Sequence, residues 1–130
     1  MIHRTDVIKA IQEHYNYQKY LEIGIKGGTT FNIINCDFKV GLDIRGVCNP
    51  TYVNENEKQG GMSSDDYFAD SRYKHENFDL IFIDGDHTKE QVEKDIDNSL
   101  NRLLPNGTIV VHDTNPPSEE WLSPGMCGDG

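Results

Sequence analysis

The sequence predicts an α/β fold in three layers, a mostly parallel sheet covered by helices on both faces. Segments of strand length alternate with segments of helical spacing from one end of the chain to the other. Several strand-like segments, above all "NFDLIFID", are too continuously apolar to leave one face in water, as in a buried parallel sheet. Every strong strand also ends on glycine or aspartate, at Gly24, Asp43, Asp84 and Asp113. In a parallel sheet joined by right-handed crossovers these four residues share the carboxyl edge, where ligands bind.

Each element follows from local pattern. "MIHRTDVIKAIQEHY" reads as a short amphipathic helix with Thr5 as its N-cap and Ile8 and Ile11 on one face. "KYLEIG" is the first strand, "GTTFNIIN" a short helix and "DFKVGLDI" the second strand. "RGVCNPTYVNENEKQGG" is polar and rich in turn formers, hence a loop. Around "GMSSDDYFADSRY" a very short third strand meets a helix capped by Ser63 or Ser64. In the fourth strand Phe78, Leu80, Ile81, Phe82 and Ile83 are expected to be buried on both faces. "TKEQVEKDIDNSLNRLL" is the clearest helix, with Thr88 as cap and Val92, Ile96, Leu100, Leu103 and Leu104 near helical spacing. "PNGTIVVHD" is a turn and the fifth strand. No strand is expected after Asp113, so the sheet reads as truncated after strand five. That strand's edge should pair with another molecule, giving a homo-oligomer, or lie under the "NPPSEEWL" tail with Trp121 as anchor.

The bulk numbers narrow the partners. The 130 residues suffice for a single domain over 1–130 with its own core. With 22 acidic against 12 basic residues the net charge is -10, the wrong sign for a nucleic-acid binder or for an anionic membrane surface. No apolar run approaches a membrane span, and the start lacks the long apolar core of a secretory signal. Cys36, Cys48 and Cys127 are odd in number and widely spaced, matching neither a zinc pattern nor a disulfide framework. A reduced, cytoplasmic setting is expected.

The chemistry gathers at the carboxyl edge. Gly24, Gly27 and Gly28 permit a tight turn and close approach of a ligand, with free N–H groups at the helix start that follows. Their spacing fits neither the G-x-x-x-x-G-K-[ST] phosphate loop nor the G-x-G-x-x-G dinucleotide turn, and a plain strand-to-helix turn would look the same. Asp43 lies 21 residues after Glu22, at the end of the next strand, where an acid can accept both hydroxyls of a ribose. Together the bare turn and the acidic strand end point to a nucleoside ligand. A second cluster comprises Asp84, Asp86, His87, His112 and Asp113. His87 is a candidate general base or a helix-start residue bonded to a neighbouring loop, and His112 a candidate site residue or a buried backbone partner.

The segments "LEIGIKGGTTF", "GLDI" and "FDLIFIDGDHTKEQVEKDIDNSLNRLLPNGTIVVHDTNPP", over residues 20–117, resemble the class I S-adenosylmethionine-dependent methyltransferases. The nearest pattern is the branch whose fourth strand ends in I-D-G-x-H and whose fifth ends in H-D. The resemblance implies a Rossmann-like α/β/α sandwich of strand order 3-2-1-4-5. Full domains of that type add two further strands, which this sequence lacks room for. It implies that Glu22, Gly24 and Gly28 surround the methionine part of the cofactor, Asp43 holds the ribose, and Asp65, with Asp66 beside it, meets the adenine amino group. Asp84 joins the cofactor-binding and catalytic residues, and His87 takes the proton of an acceptor hydroxyl, as in similar enzymes that act on sugars. Several relatives hold a divalent cation between the acids ending strands four and five, which are Asp84 and Asp113 here, and hard oxygen ligands favour magnesium. This sequence departs from the metal pattern, since His112 and Thr114 flank Asp113 where relatives carry a second acid or amide; Asn115 is one step further on.

The cofactor's sulfonium and ammonium suit an acidic pocket, whereas a pyrophosphate would be repelled. A unit charge pair about 4 Å apart is worth roughly 4 kcal/mol at an effective dielectric near 20. The expected function is O-methylation of a small hydroxylated acceptor such as a sugar or glycan precursor. Two other readings are a cofactor-binding domain without turnover and a nicotinamide-dependent oxidoreductase. Glu22, inside the strand that leads to the phosphate position, disfavours the last.

Overall fold

A computed structural model describes residues 3–25, 29–43, 63–85, 88–114 and 117–122. Helix α1 (Arg4–Tyr15) leads into β1 (Lys19–Ile23), α2 (Thr29–Ile33) and β2 (Phe38–Leu42). Then come α3 (Ser64–Ala69), a 3-10 turn (Ser71–Tyr73), β3 (Phe78–Gly85), α4 (Lys89–Leu100), β4 (Leu103–Thr114) and β5 (Pro117–Leu122). The sheet order is β2-β1-β3-β4-β5, with the first four strands parallel and β5 antiparallel to β4. This is a Rossmann-like α/β fold.

Alternation along the strands builds two cores, because successive side chains point to opposite faces. Tyr20, Leu80, Phe82 and Val110 pack on one face with Ile8 of α1 and Phe31 of α2. Leu21, Ile23, Ile81, Ile83, Ile109 and Val111 pack on the other, with Tyr67 from α3 and Val92 and Ile96 from α4. From Phe78 to Ile83 every large apolar residue of β3 is inaccessible to solvent, as its continuous hydrophobicity predicts. At the opposite, amino edge Asp79 accepts hydrogen bonds from the N–H groups of Gln18 (3.0 Å) and Lys19 (2.9 Å), which fixes the start of β1.

Three expectations need correction. Helix α1 is capped by His3, not Thr5: the His3 N–H donates to Asp6, and Thr5 lies inside the helix. Ser63 caps α3, one of the two caps expected, accepting the Asp66 N–H at 3.0 Å, and the short third strand expected before it lies outside the described residues. Helix α4 starts after Thr88 as expected but stops at Leu100, so Leu103 and Leu104 belong to β4. The buried face of α4 is partly polar. Asp95 and Ser99 are its most buried residues, Asp95 accepts the Ser64 hydroxyl at 2.5 Å, and Leu100 points out to solvent. Apolar spacing alone therefore overruns the true end. Leu103 pairs with Phe78 and the ladder resumes at Thr108 opposite Leu80, with the intervening turn passing through Asn106 at φ 67. Finally, the tail does contain a strand. β5 runs along β4 from Ile109↔Leu122 to Thr114↔Pro117, so the edge is covered by the tail, the second of the two arrangements expected for it.

Candidate functional site

The four parallel strands end in register. Ile23 aligns with Leu42 on one side and with Ile83 on the other, and Ile83 aligns with Val111. One residue beyond this row stand Gly24, Asp43, Asp84 and His112, with Asp84 and His112 directly paired. Three strand ends that are far apart in sequence thus bring a glycine and two acids to one rim, and a fourth adds a histidine. Asp43 and Asp84 are both buried, at 7% and 3% exposure.

Gly24 turns the chain out of β1 at φ 88, a conformation that glycine adopts without strain. Its N–H donates to the Leu42 carbonyl at 2.7 Å, tying the bend to β2. Beside Glu22 the β2 residue is Gly41. A side chain there would meet Ile25 at 2.8 Å and the Phe31 ring at 3.0 Å, so the missing side chain lets the turn and α2 lie close on the sheet.

Glu22 sits two residues before Gly24 on the α1 face, with Phe82 beside it in β3. It is only 2% exposed and accepts the Tyr20 hydroxyl at 2.6 Å. Burial pushes its carboxyl up to about 8, with Asp84 acting in the same direction and Tyr20, Arg4 and Lys39 acting against. Neither cation is committed to Glu22. Lys39 donates to the Phe31 and Ile34 carbonyls at 2.6 and 2.9 Å, and Arg4 is turned to Asp84.

Arg4 is a rim residue that the sequence reading missed. Its Nε lies 3.2 Å from Asp84 Oδ2 and its Nη1 3.4 Å from His112 Nε2, so the first turn of α1 bridges the ends of β3 and β4. The Thr5 and Thr30 hydroxyls, 2.6 Å apart, tie the same turn to α2. One signal was available. A cation in the first turn of a helix opposes the macrodipole, which suggests a partner elsewhere.

The remaining predicted residues divide. Asp65, in the first turn of α3, reaches α4 by accepting from Gln91 Nε2 and Lys94 Nζ, both at 3.2 Å. Asp113 ends β4 opposite Gly85. Gly28 and His87, together with Asp86 and Asn115, lie outside the described residues. Among the described residues no group of three His, Cys, Asp or Glu side chains could hold a metal ion. Arg4 already places a cation against Asp84, which disfavours magnesium at that acid, and the Asp113 side chain lies outside what is described. Nor is any described helix long and apolar enough to cross a membrane. The rim does suit a cationic nucleoside, with a bare turn for close approach and buried carboxylates on the strand ends either side of it.

A family model described as a methyltransferase domain matches residues 21–114. No curated protein matches. Among solved structures, the N-methyltransferase NodS from Bradyrhizobium japonicum WM9 is 21% identical with a TM-score of 0.57, over 83% of this chain and 65% of that one. SMU.776, solved in complex with SAH, is 15% identical with a TM-score of 0.53, over 74% of this chain. At such identities the likeness is one of fold. The chain spans only 31% of SMU.776 and 65% of NodS.

Proposed function

The chain belongs to the methyltransferase-domain family, and on that premise we propose that it binds S-adenosylmethionine at the carboxyl rim and methylates a hydroxyl of a small acceptor such as a sugar or glycan precursor. The observation that carries the proposal is the single row of Gly24, Asp43 and Asp84 across three adjacent strand ends. Asp43 is the residue to accept the two ribose hydroxyls. Gly24, with Gly28, lets the methionine portion approach the backbone closely. The acidic rim, with Asp43 and Asp84, favours a cation over a pyrophosphate. Asp65 serves the adenine amino group, exchanging its Gln91 and Lys94 contacts for it.

When bound, the cofactor supplies a methyl group activated by a positive sulfur. The chain's own task is then to hold the acceptor in line, remove its proton and exclude water. His87 is assigned the proton, since an imidazole titrates close to working pH. Asp84, the aspartate of I-D-G-x-H, is assigned with it to the catalytic residues. No step is assigned to magnesium.

Thermal-shift titration with S-adenosylmethionine, S-adenosylhomocysteine and NAD tests the binding half. The first two should raise the melting temperature and NAD should not. Methyl transfer from labelled cofactor to hydroxylated acceptors tests the catalytic half. Binding without transfer would favour a cofactor-binding domain lacking turnover. A shift with NAD alone would favour the oxidoreductase reading.

A further inference from the structure

We infer that Glu22 holds a proton in the free protein and gives it up to solvent when a cationic ligand enters the rim, so that cofactor binding is coupled to proton release. This rests on the proposed function and adds a regulatory property to the same site.

The geometry comes first. Glu22 is buried, its carboxyl accepts one hydroxyl hydrogen bond from Tyr20, and among the described residues no cation stands within ion-pair distance of it. Among the described residues, the charged and titratable groups that act on it come from four elements. Tyr20 is on its own strand, Asp84 on β3, Lys39 on β2 and Arg4 on α1. His112 of β4 lies beyond Arg4. Lys39 is held by two α2-side carbonyls and Arg4 is shared between Asp84 and His112, so neither is released to pair with Glu22. An ionised Glu22 would therefore add a second negative charge near Asp84 in a dry interior. A proton relieves that, in keeping with the carboxyl's position near pH 8.

A ligand carrying sulfonium and ammonium charges changes the balance. It brings positive charge to the rim just above Glu22 and favours the carboxylate over the acid. The carboxylate keeps the Tyr20 hydrogen bond, the proton goes to solvent, and no other bond changes. By linkage the cation then binds more tightly as pH rises towards 8, and the dependence levels off above it.

The test is calorimetric titration of the full chain with S-adenosylmethionine and with S-adenosylhomocysteine, at pH 7, in phosphate and in Tris. Different buffer ionisation heats reveal the number of protons released. The wild type should release about one proton more than Glu22→Gln, and its affinity should rise roughly tenfold from pH 6 to pH 7 relative to that variant. Comparing the two proteins cancels any proton lost by the ligand's own amino group. Should Glu22→Gln fail to fold, Tyr20→Phe provides a second arm. Losing the hydroxyl that stabilises the carboxylate should move the midpoint of the pH dependence upward. Binding with no excess proton release, or an unmoved midpoint in Tyr20→Phe, overturns the inference and leaves the proposed function standing. No binding of either ligand overturns the function itself.

Discussion

Glu22 shows how one buried acid can set the behaviour of the rim. Its folded-state proton affinity corresponds to about 8, against an ordinary value of 4.5. Between those values the folded protein binds more protons than the unfolded chain, so stability falls as pH rises through that window and is level outside it. The full effect is at most roughly 5 kcal/mol. Glu22→Gln keeps an acceptor for Tyr20 but has no such slope. The melting temperature of the variant minus that of the wild type should climb from pH 5 to pH 8.5. A difference that stays flat across that range would show that Glu22 does not hold the proton. The sequence already singled out Glu22 as an acid inside an apolar strand. What it could not reveal was the partner of Arg4, because the contact spans 80 residues to Asp84. A lone arginine in an amphipathic helix looks like any other solvated charge.

At the scale of elements, the β1–α2 connection depends on two glycines doing different jobs. Gly24 supplies a left-handed bend and Gly41 supplies room for Ile25 and Phe31. Gly24→Ala should cost about 1–2 kcal/mol from the forced positive φ, read as a lowered denaturation midpoint with an unchanged slope. An unchanged midpoint would mean that the bend tolerates a side chain and is not the constrained feature described. The strands β1 to β3 were legible because their apolar runs are bounded by Gly, Asp and turn formers. The end of α4 was not, because its buried face carries Asp95 and Ser99, and Asp95's partner Ser64 comes from another helix. β5 escaped notice for a different reason. "PSEEWL" has no apolar run of its own, and its strand character comes from pairing with β4.

Across the whole molecule, the order β2-β1-β3-β4 reproduces four strands of the order read from the sequence. The antiparallel β5 extends the sheet on the β4 side. The expected third strand lies outside the described residues. Topology is what turns scattered residues into a site. Gly24, Asp43 and Asp84 span 60 positions in the chain and stand in one row only because β1 lies between β2 and β3 with all three parallel. The acidic balance of the chain agrees with a cationic small ligand and disfavours nucleic acid.

Amide NMR of the full chain, titrated with S-adenosylhomocysteine, examines that row most directly. The signals of Gly24, Asp43 and Asp84 should shift together along one saturating curve, while those of Gln18, Lys19 and Asp79 at the opposite edge stay still. Shifts confined to the amino edge, or a saturating response that leaves all three rim residues unmoved, would contradict the account.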